Sequence, residues 1–67
     1  MAKIQLNGKS YEVDHNTNLR QLLRELKLSS NRVAIEINGV IAEKSNYHAR
    51  NLNTGDKVEI VHFIGGG

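Results

Sequence analysis

The chain has 67 residues, a net charge of +2, no cysteine and no proline. That length allows one domain with a small core. The lack of cysteine rules out disulfides and thiolate zinc sites as reinforcement. The small charge, with Phe63 and the two tyrosines remote in sequence from the basic residues, lacks the basic and aromatic surface of a nucleic-acid binder. Met1 to Gln5 contains no apolar signal region, and no apolar run approaches membrane-spanning length. The expectation is a soluble, cytoplasmic protein with neither a membrane nor a nucleic acid as partner.

Ile4 and Leu6 alternate with Lys3 and Gln5, the period of a half-buried strand. Asn7-Gly8 then predicts a two-residue turn, because both central positions of that turn need positive φ. Tyr11 and Val13 alternate with Ser10 and Glu12 on the return strand. Thr17 or Asn18 caps a helix, and with Asn18 as the cap Gln21 falls where a capping-box partner sits. Leu19, Leu22, Leu23 and Leu26 give one apolar helical stripe, and Ser29-Ser30-Asn31 ends the helix with turn-favouring residues. Arg20, Arg24 and Lys27 share another face. It reads first as a solvated helix face and second as a docking edge for an acidic protein.

Val33, Ile35 and Ile37 form a third strand, Asn38-Gly39 a turn and Val40-Ile41 a short return strand. Ser45 to His48 fits a single helical turn with Tyr47 tucked inward. Asn53-Thr54-Gly55-Asp56 is a further turn, and Val58 to Ile64 is the last strand. One leucine-striped helix must bury its stripe against one mixed sheet. The predicted class is therefore α+β, a β-grasp (ubiquitin-like) domain over residues 1–64, followed by a flexible glycine tail at 65–67.

Two features carry functional information. If Val58 and Ile60 face the helix, Glu59, Val61 and Phe63 lie on the outer face, with Ile64 beside them at the strand exit. A sheet covered on one side has a polar outer face, so Val61, Phe63 and Ile64 are expected to dock a partner. By the same parity His62 points with Val58 and Ile60, as a hydrogen-bonded residue at the core edge. The second feature is Gly65-Gly66-Gly67. Three residues without Cβ pass through a narrow channel and reach roughly 10 Å when extended. They can carry the Gly67 carboxylate into another protein's active site. A frayed terminus is the alternative.

A carboxylate is a poor electrophile and becomes an acyl donor only with a better leaving group, which adenylation by ATP provides. The sequence holds no P-loop, so a separate ATP-dependent enzyme is implied. His15, His48 and His62 lack metal-site spacing, and no nucleophile-and-base pair stands out. The chain is expected to bind no metal or cofactor itself and to be a carrier, not an enzyme.

The run from Val58 through Phe63 and Ile64 to Gly67 resembles the C-terminus of the ThiS family, the sulfur carriers of thiamine biosynthesis. The Ile4-to-Lys9 hairpin, Leu22-Leu23, Val33 to Gly39 and Gly55-Asp56 extend the resemblance over essentially the whole chain. It implies that an adenylating (ThiF-like) enzyme, using ATP with Mg, activates Gly67 as an acyl-adenylate. A sulfur donor, a persulfide fed by cysteine desulfurase or similar, then makes a thiocarboxylate, which a thiazole synthase (ThiG-like) consumes. Gly66 completes the family's glycine pair, and Gly65 matches an extra glycine seen in some members. Molybdopterin synthase small subunits share the Gly-Gly end, though they are usually longer, and ubiquitin-like modifiers share the activation step.

Overall fold

The computed structural model describes residues 1–63. Five strands form one mixed sheet: β1 (Ala2–Leu6), β2 (Lys9–Val13), β3 (Val33–Ile37), β4 (Val40–Ala42) and β5 (Lys57–His62). Their spatial order is β2-β1-β5-β3-β4, so the last strand in sequence lies in the middle. β5 runs parallel to β1 and antiparallel to β3. A single α-helix, α1 (Leu19–Glu25), connects the two hairpins. No helix among the described residues is long and apolar enough to cross a membrane.

The alternation read from sequence is observed as far as Ile60, with Leu6 and Tyr11 half-buried. Ala2 and Ile4 of β1, Val13 of β2, Val33, Ile35 and Ile37 of β3, and Val58 and Ile60 of β5 are buried. Leu19, Leu22 and Leu23 of α1 join them in one cluster, with Tyr47 and Leu52 from the long β4–β5 connection. The turn expected over Ser45–His48 is a 3-10 turn at Lys44–Asn46, and Tyr47 after it points inward as expected, only 4% exposed. Burial raises its phenol above the usual value, partly offset by a hydrogen bond with the Ile35 backbone.

Asn18 caps α1 and forms the capping box with Gln21. Its side chain accepts from Gln21 N–H at 2.8 Å, and its own N–H donates to the Gln21 side chain at 2.9 Å. Two orphan donors of the first turn are thereby satisfied. The other end differs from expectation: α1 stops before Ser29. Lys27 has φ +60°, and Leu28 N–H reaches back to Leu23 O at 2.9 Å while Lys27 N–H bonds Arg24 O at 3.1 Å. This is a Schellman ending, which usually places glycine where Lys27 stands. Half-buried Leu28 packs against the core, so the chain turns there to bury leucine. Ser29 to Arg32 instead form a separate capped 3-10 turn. Lys27 consequently lies beyond the helix and does not extend the face of Arg20 and Arg24.

Left-handed backbone costs a residue with a Cβ about 1–2 kcal/mol, and glycine returns part of this as unfolded-state entropy. Lys27→Gly is expected to stabilise the domain by about 0.5–1 kcal/mol, raising Tm by about 4 °C. Thermal unfolding monitored by circular dichroism checks this; a lower Tm would show that the lysine stem contributes packing that outweighs its backbone cost.

Candidate functional site

The site is built on β5, the strand that leads to Gly65-Gly66-Gly67. Both Asn-Gly turns hold this strand. Asn7 and Asn38 have φ +49° and +53°, with Gly8 and Gly39 also positive, as a two-residue hairpin turn requires. Each asparagine then uses backbone and side chain together. Asn7 N–H donates to Val58 O at 2.9 Å. Its amide accepts from Ile60 N–H at 2.7 Å and donates to Ile60 O at 3.3 Å. Asn38 N–H donates to Lys57 O at 2.8 Å, and its side-chain oxygen accepts from Lys57 N–H at 2.9 Å. Where β1 ends, the Asn7 amide thus substitutes for a neighbouring strand. The sequence marks both turns, but these side-chain roles depend on a neighbour some fifty residues away for Asn7.

The base of β5 is fixed by Asp56, which is buried. Its carboxylate accepts from Asn53 N–H at 2.9 Å and from the Asn38 amide at 3.1 Å, and it pairs with Arg50 at 3.4 Å. Burial pushes the carboxyl upward. The Asn53 and Asn38 hydrogen bonds and the Arg50 charge outweigh that and hold it below its ordinary value near 3.8. Sequence reading places Asp56 in a turn but misses this hub.

Beyond Ile60 the surroundings of β5 change. The β1 register covers only Lys57 and Val58, whereas β3 pairs β5 as far as Val33 opposite His62. Phe63 N–H continues that side by donating to Arg32 O at 2.8 Å. From Val61 onward one flank of β5 is therefore an edge. This explains the one departure in strand parity: His62 is exposed, because the strand has outrun its β1 neighbour.

Val61 and Phe63 are 60% and 63% exposed, as their outward parity predicts. Ile64, Gly65, Gly66 and Gly67 lie outside the described residues. Ile41 of β4, at 62%, joins the same outer face, which sequence reading did not include. Ala34, Glu36, Ile41, Glu59 and Val61 line a shallow depression of about 100 Å³ there.

The outer face has two unlike halves. On the β2–β1 side Lys3 stands opposite Glu12 and Gln5 opposite Ser10, a charge-complementary, polar surface. On the β5–β3 side Ala34 stands opposite Val61 and Glu36 opposite Glu59. Like charges directly across two strands are unfavourable, with cross-strand pairs contributing about 0.2–1 kcal/mol. Among the described residues the sole ion pair is Arg50–Asp56, so neither glutamate has a cationic partner within ion-pair distance.

No group of three or more metal-ligating side chains occurs among the described residues. His15 contacts the N-terminal amine at 2.9 Å, while His48 and His62 are exposed on separate elements. Tyr11 donates to Glu25 at 3.0 Å, and this bond, then burial and the Glu25 charge, raise its phenol.

A family-wide sequence model, that of the ThiS family, matches residues 4–67. The chain belongs to the ThiS family. The sulfur carrier protein ThiS of Bacillus subtilis is 40% identical over 65 residues, covering 96% of this chain and 98% of that protein. A crystal structure of the thiamine biosynthesis protein ThiS from Geobacter metallireducens superposes with a TM-score of 0.82 at 35% identity. The match covers 97% of this chain and 99% of that one. A thiazole synthase of Magnetococcus marinus is 40% identical over 65 residues, which span 97% of this chain but only 20% of that protein. The mixed five-stranded sheet on one helix is accordingly the ubiquitin-like β-grasp of ThiS proteins.

Two expectations follow. Asn7→Ala leaves Ile60 N–H and C=O without partners and should destabilise by about 1–3 kcal/mol, read as a lower urea midpoint. An unchanged midpoint would show that water replaces the amide at no cost. For Asp56, a depressed folded-state value adds stability above its unfolded value near 3.9. That stability is lost as pH falls through the folded value. Urea unfolding from pH 7 down to about 2 should therefore show a loss below about pH 4 that is reduced in Asp56→Asn. Parallel curves for the two proteins would refute the assignment.

Proposed function

We propose that this chain carries sulfur on the Gly67 carboxyl for synthesis of the thiazole ring of thiamine. The observation that carries the reading is the end of β5. Val61 and Phe63, exposed and apolar, immediately precede Ile64 and the three glycines in a chain matched by the ThiS family through residue 67.

The chain supplies position, and its partners supply chemistry. An α-carboxyl is ionised at neutral pH, with an ordinary pKa of about 3.5, and is unreactive toward nucleophiles. In the proposed cycle an adenylating enzyme brings ATP with Mg. A Gly67 carboxylate oxygen attacks the α-phosphorus, pyrophosphate leaves, and an acyl-adenylate forms. A persulfide sulfur attacks the acyl carbon and AMP leaves. A thiol then cleaves the sulfur–sulfur bond, and the thiocarboxylate remains on Gly67. Gly65 and Gly66, having no side chains, let the terminus enter a confined site. Val61, Phe63 and Ile64 dock the domain while the tail is engaged. A thiazole synthase takes the sulfur, a role supported by the relatedness of this chain to part of a protein of that name. The chain is a co-substrate without catalytic groups of its own. It needs no cysteine because the sulfur rides on the main-chain carboxyl, which suits the reducing cytoplasm.

Intact-mass measurement after incubation with the adenylating enzyme, ATP and a persulfide donor tests the reading. Exchange of one carboxyl oxygen for sulfur at Gly67 is expected, and it should vanish on deletion of Gly66-Gly67. A strain carrying that deletion should fail to grow without thiamine. Normal growth, or a carrier found only as a Gly67–lysine branch on other proteins, would overturn the proposal. Phe63→Ala should change Tm little, by the equivalent of about 0.5 kcal/mol or less, yet weaken docking on the adenylating enzyme about tenfold. A large fall in Tm would instead make Phe63 part of the core.

A further inference from the structure

The two halves of the outer sheet face solve the same electrostatic problem differently. Lys3 opposes Glu12 on one half, whereas Glu36 opposes Glu59 on the other. The like-charged pair lies in the apolar half and lines one shallow depression with Ile41 and Val61. This region continues directly into Phe63 and the tail. Side chains opposite one another on adjacent strands stand about 5 Å apart, a separation that one planar guanidinium spans with hydrogen bonds to both carboxylates. Guanidinium is more weakly hydrated than an ammonium and tolerates apolar flanks. No group of three or more metal-ligating side chains occurs here among the described residues.

We propose that this face docks on the adenylating enzyme through an arginine of that enzyme. The arginine enters the depression between Glu36 and Glu59, with apolar side chains around it covering Ile41 and Val61. The inference rests on the carrier reading above, because it assigns the occupant as the enzyme that activates the tail. The complex gives both carboxylates a cationic partner that the free domain does not place within ion-pair distance. The pair thus acts as a specificity element: a neutral or acidic surface leaves two carboxylates desolvated and unpaired.

The test measures binding of the full chain to the adenylating enzyme by calorimetry, for the unaltered protein, Glu36→Gln, Glu59→Gln, the double variant, and Glu12→Gln from the polar half. Each single substitution in the depression should raise Kd about threefold, and the double about tenfold, at ~50 mM salt, with a flatter dependence on salt up to ~500 mM. The Tm of the free double variant should stay level or rise, which separates lost docking from lost folding. Glu12→Gln should leave Kd unchanged. A double variant that binds within about twofold of the unaltered chain with the same salt dependence overturns the inference. So does an equal loss from Glu12→Gln, which would reflect net charge alone. Thiocarboxylate formation at saturating enzyme is followed in parallel. Its absence in the unaltered chain counts against the carrier reading, whereas unchanged Kd with normal sulfur loading counts only against the arginine contact.

Discussion

The placement of Val61 and Phe63 depends on how β5 is held. This strand is the fifth of the five in sequence order and the middle one in space, so both flanks must be satisfied by segments far away in sequence. β3 provides one flank from Val58 to His62. The other is provided by β1 for two residues and then by the Asn7 amide, which bonds Ile60 on both its N–H and its C=O. Asn38 does corresponding work at the entry to the strand, and it shares Asp56 with Asn53 and Arg50. Two turn residues therefore fix the start and midpoint of the segment that delivers Val61, Phe63 and the glycines. A buried polar group without a partner is costly, so these amides tie strand position to turn geometry. The left-handed backbone that makes each hairpin is also what lets its asparagine reach β5.

This attachment matters more in a chain of 67 residues than it would in a larger one. A small domain buries a modest share of its surface and has a narrow margin of stability. Even so, the sequence accepts three local costs: Lys27 at positive φ, Glu36 opposite Glu59, and exposed Val61, Phe63 and Ile41. The first has a purely structural reason, since it brings Leu28 into the core. The other two fall together on the half of the sheet nearest the tail. The β2–β1 half, on the same face, pairs Lys3 with Glu12 and Gln5 with Ser10 instead. The clustering of Val61, Phe63 and Ile41 beside the strand exit supports the docking surface proposed above.

Much of this was legible in the sequence because it is local. Strand alternation, the leucine stripe, the Asn18–Gln21 capping box, both Asn-Gly turns and the inward Tyr47 each involve residues a few positions apart, and the outward parity of Val61 and Phe63 follows from alternation alone. The illegible parts need register between distant segments. Nothing near Asp56 in sequence predicts the Asn38 amide beside it. Ile41 belongs to the apolar face only because β4 packs beside β3. His62 has the parity of a core residue, and its exposure follows from where β1 happens to stop. The helix end was misplaced for a different reason: Ser29-Ser30-Asn31 is a stronger turn signal than lysine, but burial of Leu28 outweighed the backbone preference of Lys27.

A carrier whose reactive atom is a main-chain carboxyl cannot tune that atom with neighbouring side chains, because Gly65, Gly66 and Gly67 have none to offer. Selectivity must then come from the domain behind the tail. Binding energy gained at a site remote from the reacting centre orients that centre and offsets the entropy of confining it. For this to work the docking face and the tail must keep a fixed relation. In the proposed reading β5 meets that condition up to Phe63: it carries Val61 and Phe63 with no hinge-like loop between Ile60 and Phe63. The hydrogen bond from Phe63 N–H to Arg32 O extends the β3 pairing one residue past His62.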